Sequence, residues 1–507
     1  MKSALMRDQS LDDMNSRSSV RTKAPGSSSW FLLLAAVCVM SLITCAIILM
    51  SNAPYGYRNM AFLPLSFLFV SVMYSRLYLE IHKNIAVLLI LVGYFIRDVA
   101  TPLALALGNY TTVFPKLSSE NINTAIFLMM YEVVIVFTGI HLYLLFKRRS
   151  KGTIRIADSF ATQTWSYRSF NAVLLLCVLF CIGVFLYIPE IGGLYKPIFV
   201  NSHIIASINY TADQIALRGS LRRVLFTLFT YVLSFIRYVM PAYFIYVIYK
   251  KKGDSLKGII LSVPFLVLPF LVVGTTNIEP FLGLLLNMVL VKRLYPRNSQ
   301  HLTRAFLILG GLLVISIFGA KMHLIGQSTG NSGFESLSEA LCAYFPGVGN
   351  AAATYNIVDI NPLKTLFYDF YSTIPFKGSL FGLAGVSLAG LFNESNGIGG
   401  NIIPCVSYAE HYLGFAIAPL VPMSMAVLSL VMHDRAENTN EYWQYFYFVF
   451  AMIFLAIAPN IYNLVLSLAW AFEVFLPIWV LTKLVSRRRG RRESRLLERM
   501  DSSAGAE

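Results

Sequence analysis

Residues 30–51 read WFLLLAAVCVMSLITCAIILMS, a run without one charged side chain. About 20 mostly apolar residues, wound as an α-helix, rise far enough to cross the hydrocarbon core of a bilayer. The run is too long for the apolar part of a signal peptide and lacks a clear small-residue cleavage site, so it reads as a membrane helix. Working outward, comparable stretches lie near 60–75, 85–107, 123–146, 172–190, 224–249, 258–274, 278–292, 305–320, 413–432, 444–459 and 461–483. These runs are continuous rather than alternating, which argues against barrel strands. The predicted fold class is all-α: a polytopic integral membrane protein of about 12 transmembrane helices.

Composition excludes the soluble alternative. Of the 507 residues, 56% are hydrophobic and only 13% charged, with a mean hydropathy of +0.63. No arrangement of soluble domains hides that much apolar surface from water. Residues 1–29 read as a disordered cytoplasmic tail, 30–483 as the transmembrane domain and 484–507 as a basic cytoplasmic tail.

The net charge of +15 raises nucleic acid as a partner, so the position of the charge matters. If the tails and every second loop share one side, 30 of the 41 lysines and arginines fall there, counting Lys292 and Lys483 at the ends of spans. By the positive-inside rule that side is the cytoplasm, and both termini are expected in it. The charge is then topology and attraction to anionic lipid, with no nucleic-acid partner. The cluster Arg487-Arg488-Arg489-Gly490-Arg491-Arg492 follows a span directly and reads as a stop-transfer anchor rather than an RNA-binding tail.

Two predicted outside loops, 191–223 and 321–412, are far longer than a turn requires, and such loops in compact membrane proteins are usually functional or disordered. Their aromatic and aliphatic content suits a folded surface. Within the second, the stretch from Ile374 to Phe392 reads as a re-entrant or interfacial helix. Asn-x-Ser/Thr triplets at Asn109, Asn209 and Asn393 all fall outside in this topology. Cys342 and Cys405 share the late loop, leaving a disulfide or two separate thiols as alternatives. No CxxC, HExxH or phosphate-loop pattern exists, so no metal or cofactor is expected.

Arg218, Arg222 and Arg223 close the first loop, and as a helix Arg218 and Arg222 stand at i, i+4 on one face. Paired guanidinium forks suit a diphosphate. The competing reading is a cluster snorkelling at the end of a span. In the second loop, Tyr408, Glu410 and His411 precede a span and supply hydrogen bonds and one imidazole that titrates near neutral pH. A lone interfacial histidine is more often a satisfied polar contact. Inside the spans, depth counting pairs Arg237 with Glu473 and Arg97 with Glu132, and sets Asp98 level with Glu132. Such groups either pair helices or line an ion path.

Three short segments carry a family resemblance. The run from Gly399-Gly400-Asn401-Ile402-Ile403-Pro404 to Glu410-His411-Tyr412-Leu413-Gly414-Phe415 resembles the close of the large outside loop in Wzy-type polysaccharide polymerases. Val272-Val273-Gly274-Thr275-Thr276-Asn277 is similar to their Gly-Gly-Thr-Arg turn, and the layout of almost the whole chain matches theirs. Asn277, the stretch at Pro459–Tyr462 and Ala416 depart from the family pattern, two of them by lacking an arginine. The resemblance, which extends to O-antigen ligases, implies a GT-C-like glycosyltransferase in a bacterial plasma membrane. It implies undecaprenyl-diphosphate-linked oligosaccharide as donor and acceptor, with a flippase and a chain-length regulator as further partners. In that reading Arg218, Arg222 and Arg223 bind the diphosphate, and His411, with Glu410 and Tyr408 beside it, activates the acceptor hydroxyl. The alternatives are an O-antigen-type ligase and a transporter of a lipid-linked or small solute, with Arg97, Asp98, Glu132 and Arg237 along its path. For the Arg237–Glu473 pairing, exchanging the two charges is expected to restore the membrane accumulation lost in either single variant; no restoration would disprove the pair.

Overall fold

The computed structural model describes residues 28–112, 114, 117–149, 167–193, 196–197, 220–267, 272–273, 279–296, 333–373, 385–397 and 402–461, with isolated positions 311, 319, 322, 330, 476, 477 and 480. The regular elements among these residues are helices, apart from one antiparallel pairing of Lys196–Pro197 (β1) with Val272–Val273 (β2). The first part of the chain forms α1 (Ser28–Met50), α2 (Phe62–Met73), α3 (Ile85–Leu107), α4 (Ser119–Arg149) and α5 (Tyr167–Tyr187). Then follow α6 (Ser220–Lys252), α7 (Leu256–Val267) and α8 (Glu279–Leu294). The late loop folds as α9 (Phe334–Tyr344), α10 (Val348–Thr354), α11 (Pro362–Ser372), α12 (Leu388–Asn396) and α13 (Cys405–Leu413). Helices α14 (Leu420–Glu437) and α15 (Tyr442–Ile461) follow.

Among the described residues, five helices are long and apolar enough to cross a membrane: Trp30–Met50, Ile85–Leu107, Ser119–Lys147, Leu221–Lys252 and Tyr442–Asn460. Shorter apolar helices occupy Tyr57–Met73, Asn171–Tyr187 and Leu256–Leu266. The expected spans 305–320 and 461–483 lie almost wholly outside the described residues. Two others need correcting. The stretch 258–274 is not one helix: α7 ends at Val267 and Val272–Val273 is extended. The stretch 413–432 becomes helical only at Leu420, because Gly414 takes a left-handed φ of 78° and turns run on to Pro419.

Helix α4 is the central post. It packs against α2, α10 and α14; α14 runs beside α15, and α15 touches α3 and α8. Helices α5, α7 and α8 gather on α6. One apolar core, including Phe67, Tyr94, Phe137, Tyr238, Phe446 and Phe450, joins these bundles. At the Lys/Arg-rich end, Lys147 pairs with Asp434, which also accepts from Tyr143 Oη at 2.6 Å, and Arg293 lies 3.7 Å from Glu437.

Helix α3 carries a local irregularity. Its residues Ile96–Ala100 wind as a π-helix. Pro102 lacks the N–H that an α-helix would direct at the carbonyl of Asp98, so the ladder slips by one residue there. The carbonyl of Ile96 accepts from the Thr101 N–H, and also from Thr101 Oγ1 at 2.9 Å. The wider turn puts three successive residues, Arg97, Asp98 and Val99, into the interior.

Arg97 meets Glu132 of α4 through two nitrogens, at 3.1 and 2.9 Å, and its Nε donates to Asp98 Oδ1 at 3.2 Å. Tyr94 donates to Glu132 Oε1 at 2.9 Å, and its ring lies 4.6 Å from the Arg97 guanidinium carbon. All three charged side chains are fully buried. Taking ions out of water costs several kcal/mol each, and only close partners offset it. Arg97→Met is therefore expected to lower stability by about 3–5 kcal/mol through the carboxylates it strands. Adding Glu132→Gln to Arg97→Met should recover part of the loss, read as thermal retention of the monodisperse protein in detergent. An unchanged Arg97→Met protein would refute the dependence.

Candidate functional site

The late loop does not lie over the bundle as a detached cap. Tyr355 and Asn356 follow α10, and Asn121, near the start of α4, donates to Asn356 Oδ1 at 3.1 Å. Deeper along α4, Leu128 packs with Val406, Ala409 and Ala418. Tyr131 donates to the Ala416 carbonyl at 3.1 Å and stacks on Phe415. At 1.5 Å per residue, Leu128 and Tyr131 lie roughly 14–18 Å below Ser119. Helix α13 and the turn after it therefore dip into the Lys/Arg-poor end of the bundle, beside a membrane-length helix. Irregular backbone at such a level is tolerated where protein surrounds it. The re-entrant element expected at Ile374–Phe392 is described only from residue 385, and its last five residues begin α12.

Helix α13 presents Tyr408, Glu410 and His411. His411 Nε2 lies 3.1 Å from Asp359 Oδ2, and the carboxylate is 5% exposed. The other oxygen of Asp359 accepts from the Asn361 N–H and from Thr365 Oγ1, both at 3.0 Å. Asn361 in turn caps α11 by accepting from the Lys364 N–H at 3.2 Å, with Pro362 in the first helical turn. The start of α11 thus fixes the carboxylate that faces the imidazole.

A second carboxylate organises the other side. Asp369 is buried and accepts from the Tyr408 hydroxyl, from Tyr412 Oη at 2.9 Å and from the Leu388 N–H at 3.1 Å. One carboxylate thus ties α11, α12 and α13 together. Burial and the adjacent Asp369 push the phenols of Tyr408 and Tyr412 upward, which keeps both as donors. Burial also raises the Glu410 carboxyl above its ordinary range, with neighbouring His411 pulling it back. Tyr355, whose hydroxyl is buried without a hydrogen bond, is raised by burial and then by the Glu410 charge.

No protein-family model, no curated protein and no solved structure matches this chain. The geometry therefore carries the functional reading by itself. A His–Asp pair flanked by a carboxyl of raised pKa and three phenols can orient a hydroxyl and accept its proton.

The other expected residues are placed as follows. Arg218 and Glu473 lie outside the described residues. Arg237 is buried in α6. Arg222 bonds Glu190 at 3.2 Å and lies over the Tyr187 ring at 5.6 Å, so it belongs to the α5–α6 hairpin rather than to the late loop. Arg223 is exposed beside it. Arg97 and Glu132 are brought together, with Asp98 added to them. Cys342 and Cys405 are separate buried thiols; Cys405 Sγ lies 4.0 Å from Met425 Sδ.

Sequence reasoning missed Asp359 and Asp369. The signal for Asp359 is present in Asp359-Ile-Asn361-Pro362, a capping residue followed by proline at a helix start. Asp369 has no comparable signal. Asp369→Ala leaves two phenols and a buried N–H without their acceptor, and it is expected to cost about 2–4 kcal/mol. Limited proteolysis should then cut first within 355–400, and an unchanged cleavage pattern would contradict this role.

Proposed function

We propose that this chain is a membrane glycosyltransferase that polymerises undecaprenyl-diphosphate-linked oligosaccharide repeat units on the outer face of a bacterial plasma membrane. The observation that carries the proposal is the His411–Asp359 pair, held on α13 at the Lys/Arg-poor end of the bundle. A water-soluble sugar donor gains nothing from a site sunk beside a spanning helix. A lipid-linked donor presents its reacting bond near that depth. In full, the proposal is a GT-C-like chain of twelve spans with both termini cytoplasmic, working on its lipid-linked donor and acceptor. A flippase would supply the substrate and a chain-length regulator would act on the product.

In this reading His411 accepts the proton of the acceptor hydroxyl as it attacks the anomeric carbon, and Asp359 holds the imidazole and stabilises its charged form. The bond to the lipid diphosphate breaks, and the diphosphate leaves with the electron pair. Arg222, with Arg218 and Arg223, neutralises that leaving group. Half-exposed pairs such as Arg222–Glu190 contribute about 0–1 kcal/mol, so a doubly charged diphosphate can displace Glu190. An O-antigen-type ligase shares every one of these steps and differs in the acceptor. A transporter is the reading favoured by one other observation, the π-helical Arg97–Asp98 turn, because such turns recur at functional sites.

In cells lacking the chromosomal copy, His411→Ala and Asp359→Asn are expected to leave single repeat units on the acceptor, with polymer down about 100-fold or more. Arg222→Ala should lower polymer amount without altering the repeat unit. Free lipid-linked polymer would indicate a ligase, and lipid-linked units stranded on the cytoplasmic side a transporter. Normal polymer from both His411→Ala and Asp359→Asn would sink the assignment.

A further inference from the structure

Helix α11 buries its charged side and exposes its apolar one. Thr365 and Asp369, four residues apart on one side of the helix, are buried. On the opposite side, Ile360 is 95% exposed, Leu363 80%, Phe367 65% and Phe370 47%. The spacing from 363 to 367 to 370 places these side chains in one stripe along the helix. Soluble surfaces rarely carry so continuous a patch of large apolar side chains.

Its level in the molecule is set by neighbours already described. Asp359, just ahead of the helix, bonds His411 of α13, and Asn356 bonds Asn121 within the first turn of α4. The stripe therefore lies near the Lys/Arg-poor end of a membrane-length helix, where acyl chains meet headgroups. Farther along the chain, Phe415 is 40% exposed while stacked on Tyr131, so apolar surface continues below this level. Lys364, exposed beside Leu363, has the reach to put its ammonium among headgroup phosphates while its stem stays with the stripe.

We propose that α11 is an in-plane membrane anchor whose Ile360–Leu363–Phe367–Phe370 stripe inserts among phospholipid acyl chains of the leaflet at the Lys/Arg-poor end. Amphipathic helices of this kind sink their apolar face to the boundary between headgroups and acyl chains. Because Asp359 and Asp369 project from the opposite side of the same segment, the bilayer surface then fixes the height of both carboxylates. This anchoring is independent of the glycosyltransferase reading and stands or falls on a physical measurement.

The environment-sensitive fluorescent amino acid Anap, placed by amber suppression at position 363 or 367 of the full chain, reports the surroundings directly. The protein is reconstituted into nanodiscs of phosphatidylethanolamine and phosphatidylglycerol, with or without lipids brominated high on the acyl chain. Both positions are expected to emit at shorter wavelength than Anap at the exposed position 120. Brominated lipid should quench them several-fold more than aqueous iodide does. Because both side chains are exposed, these replacements do not disturb a packed core. Long-wavelength emission with strong iodide quenching would place the stripe in water and overturn the proposal. Short-wavelength emission that brominated lipid leaves unquenched would also overturn it, by showing protein over the stripe, from a second copy or from residues 374–384.

Discussion

A guanidinium sealed in an apolar bundle permits little freedom around it. Arg97 is surrounded by Glu132, Asp98 and the ring of Tyr94, and none of the three charged side chains reaches solvent. Moving any of them by an ångström or two would strand charge in a medium that cannot screen it. The cluster therefore sets the register of α3 against α4. The late loop is hung from that register: Leu128, within a turn of Glu132, receives Val406 and Ala409 of α13. The depth of His411 follows, at one remove, from where Arg97 must sit.

The same cluster explains why a π-turn is retained in a helix that would otherwise be regular. A straight α-helix turns successive side chains about 100° apart, so Arg97 and Asp98 could not both face inward with Val99. Slipping the ladder at Pro102 widens the turn and admits all three. The local loss of regularity is offset by Thr101, whose hydroxyl takes the carbonyl of Ile96. Sequence, backbone irregularity and charge pairing are here one arrangement.

How much of this was legible beforehand depends on the kind of force involved. Span positions follow from hydropathy, a sum over many residues, so α1, α3, α4, α6 and α15 fall close to where the sequence places them. Arg97–Glu132 was legible because charges inside spans are few and depth can be counted. Glycine displaced one boundary, to Leu420. The late loop was the least legible part, because Asp359 and His411 are 52 positions apart and meet only through tertiary folding. Loop carboxylates look alike in a sequence. The apolar spacing of Leu363, Phe367 and Phe370 was readable, but it was masked by the more apolar stretch that follows it.

Asp359 divides its two oxygens between a helix start and an imidazole. That division makes it a lever. Any tilt of α11 swings the carboxylate and changes the length of its bond to His411, whereas sliding of α13 alone is resisted by Asp369 through Tyr408 and Tyr412. The orientation of the imidazole is thus tied to the attitude of the helix. Whatever displaces α11 therefore reaches His411 through this single carboxylate, before any substrate group touches the imidazole.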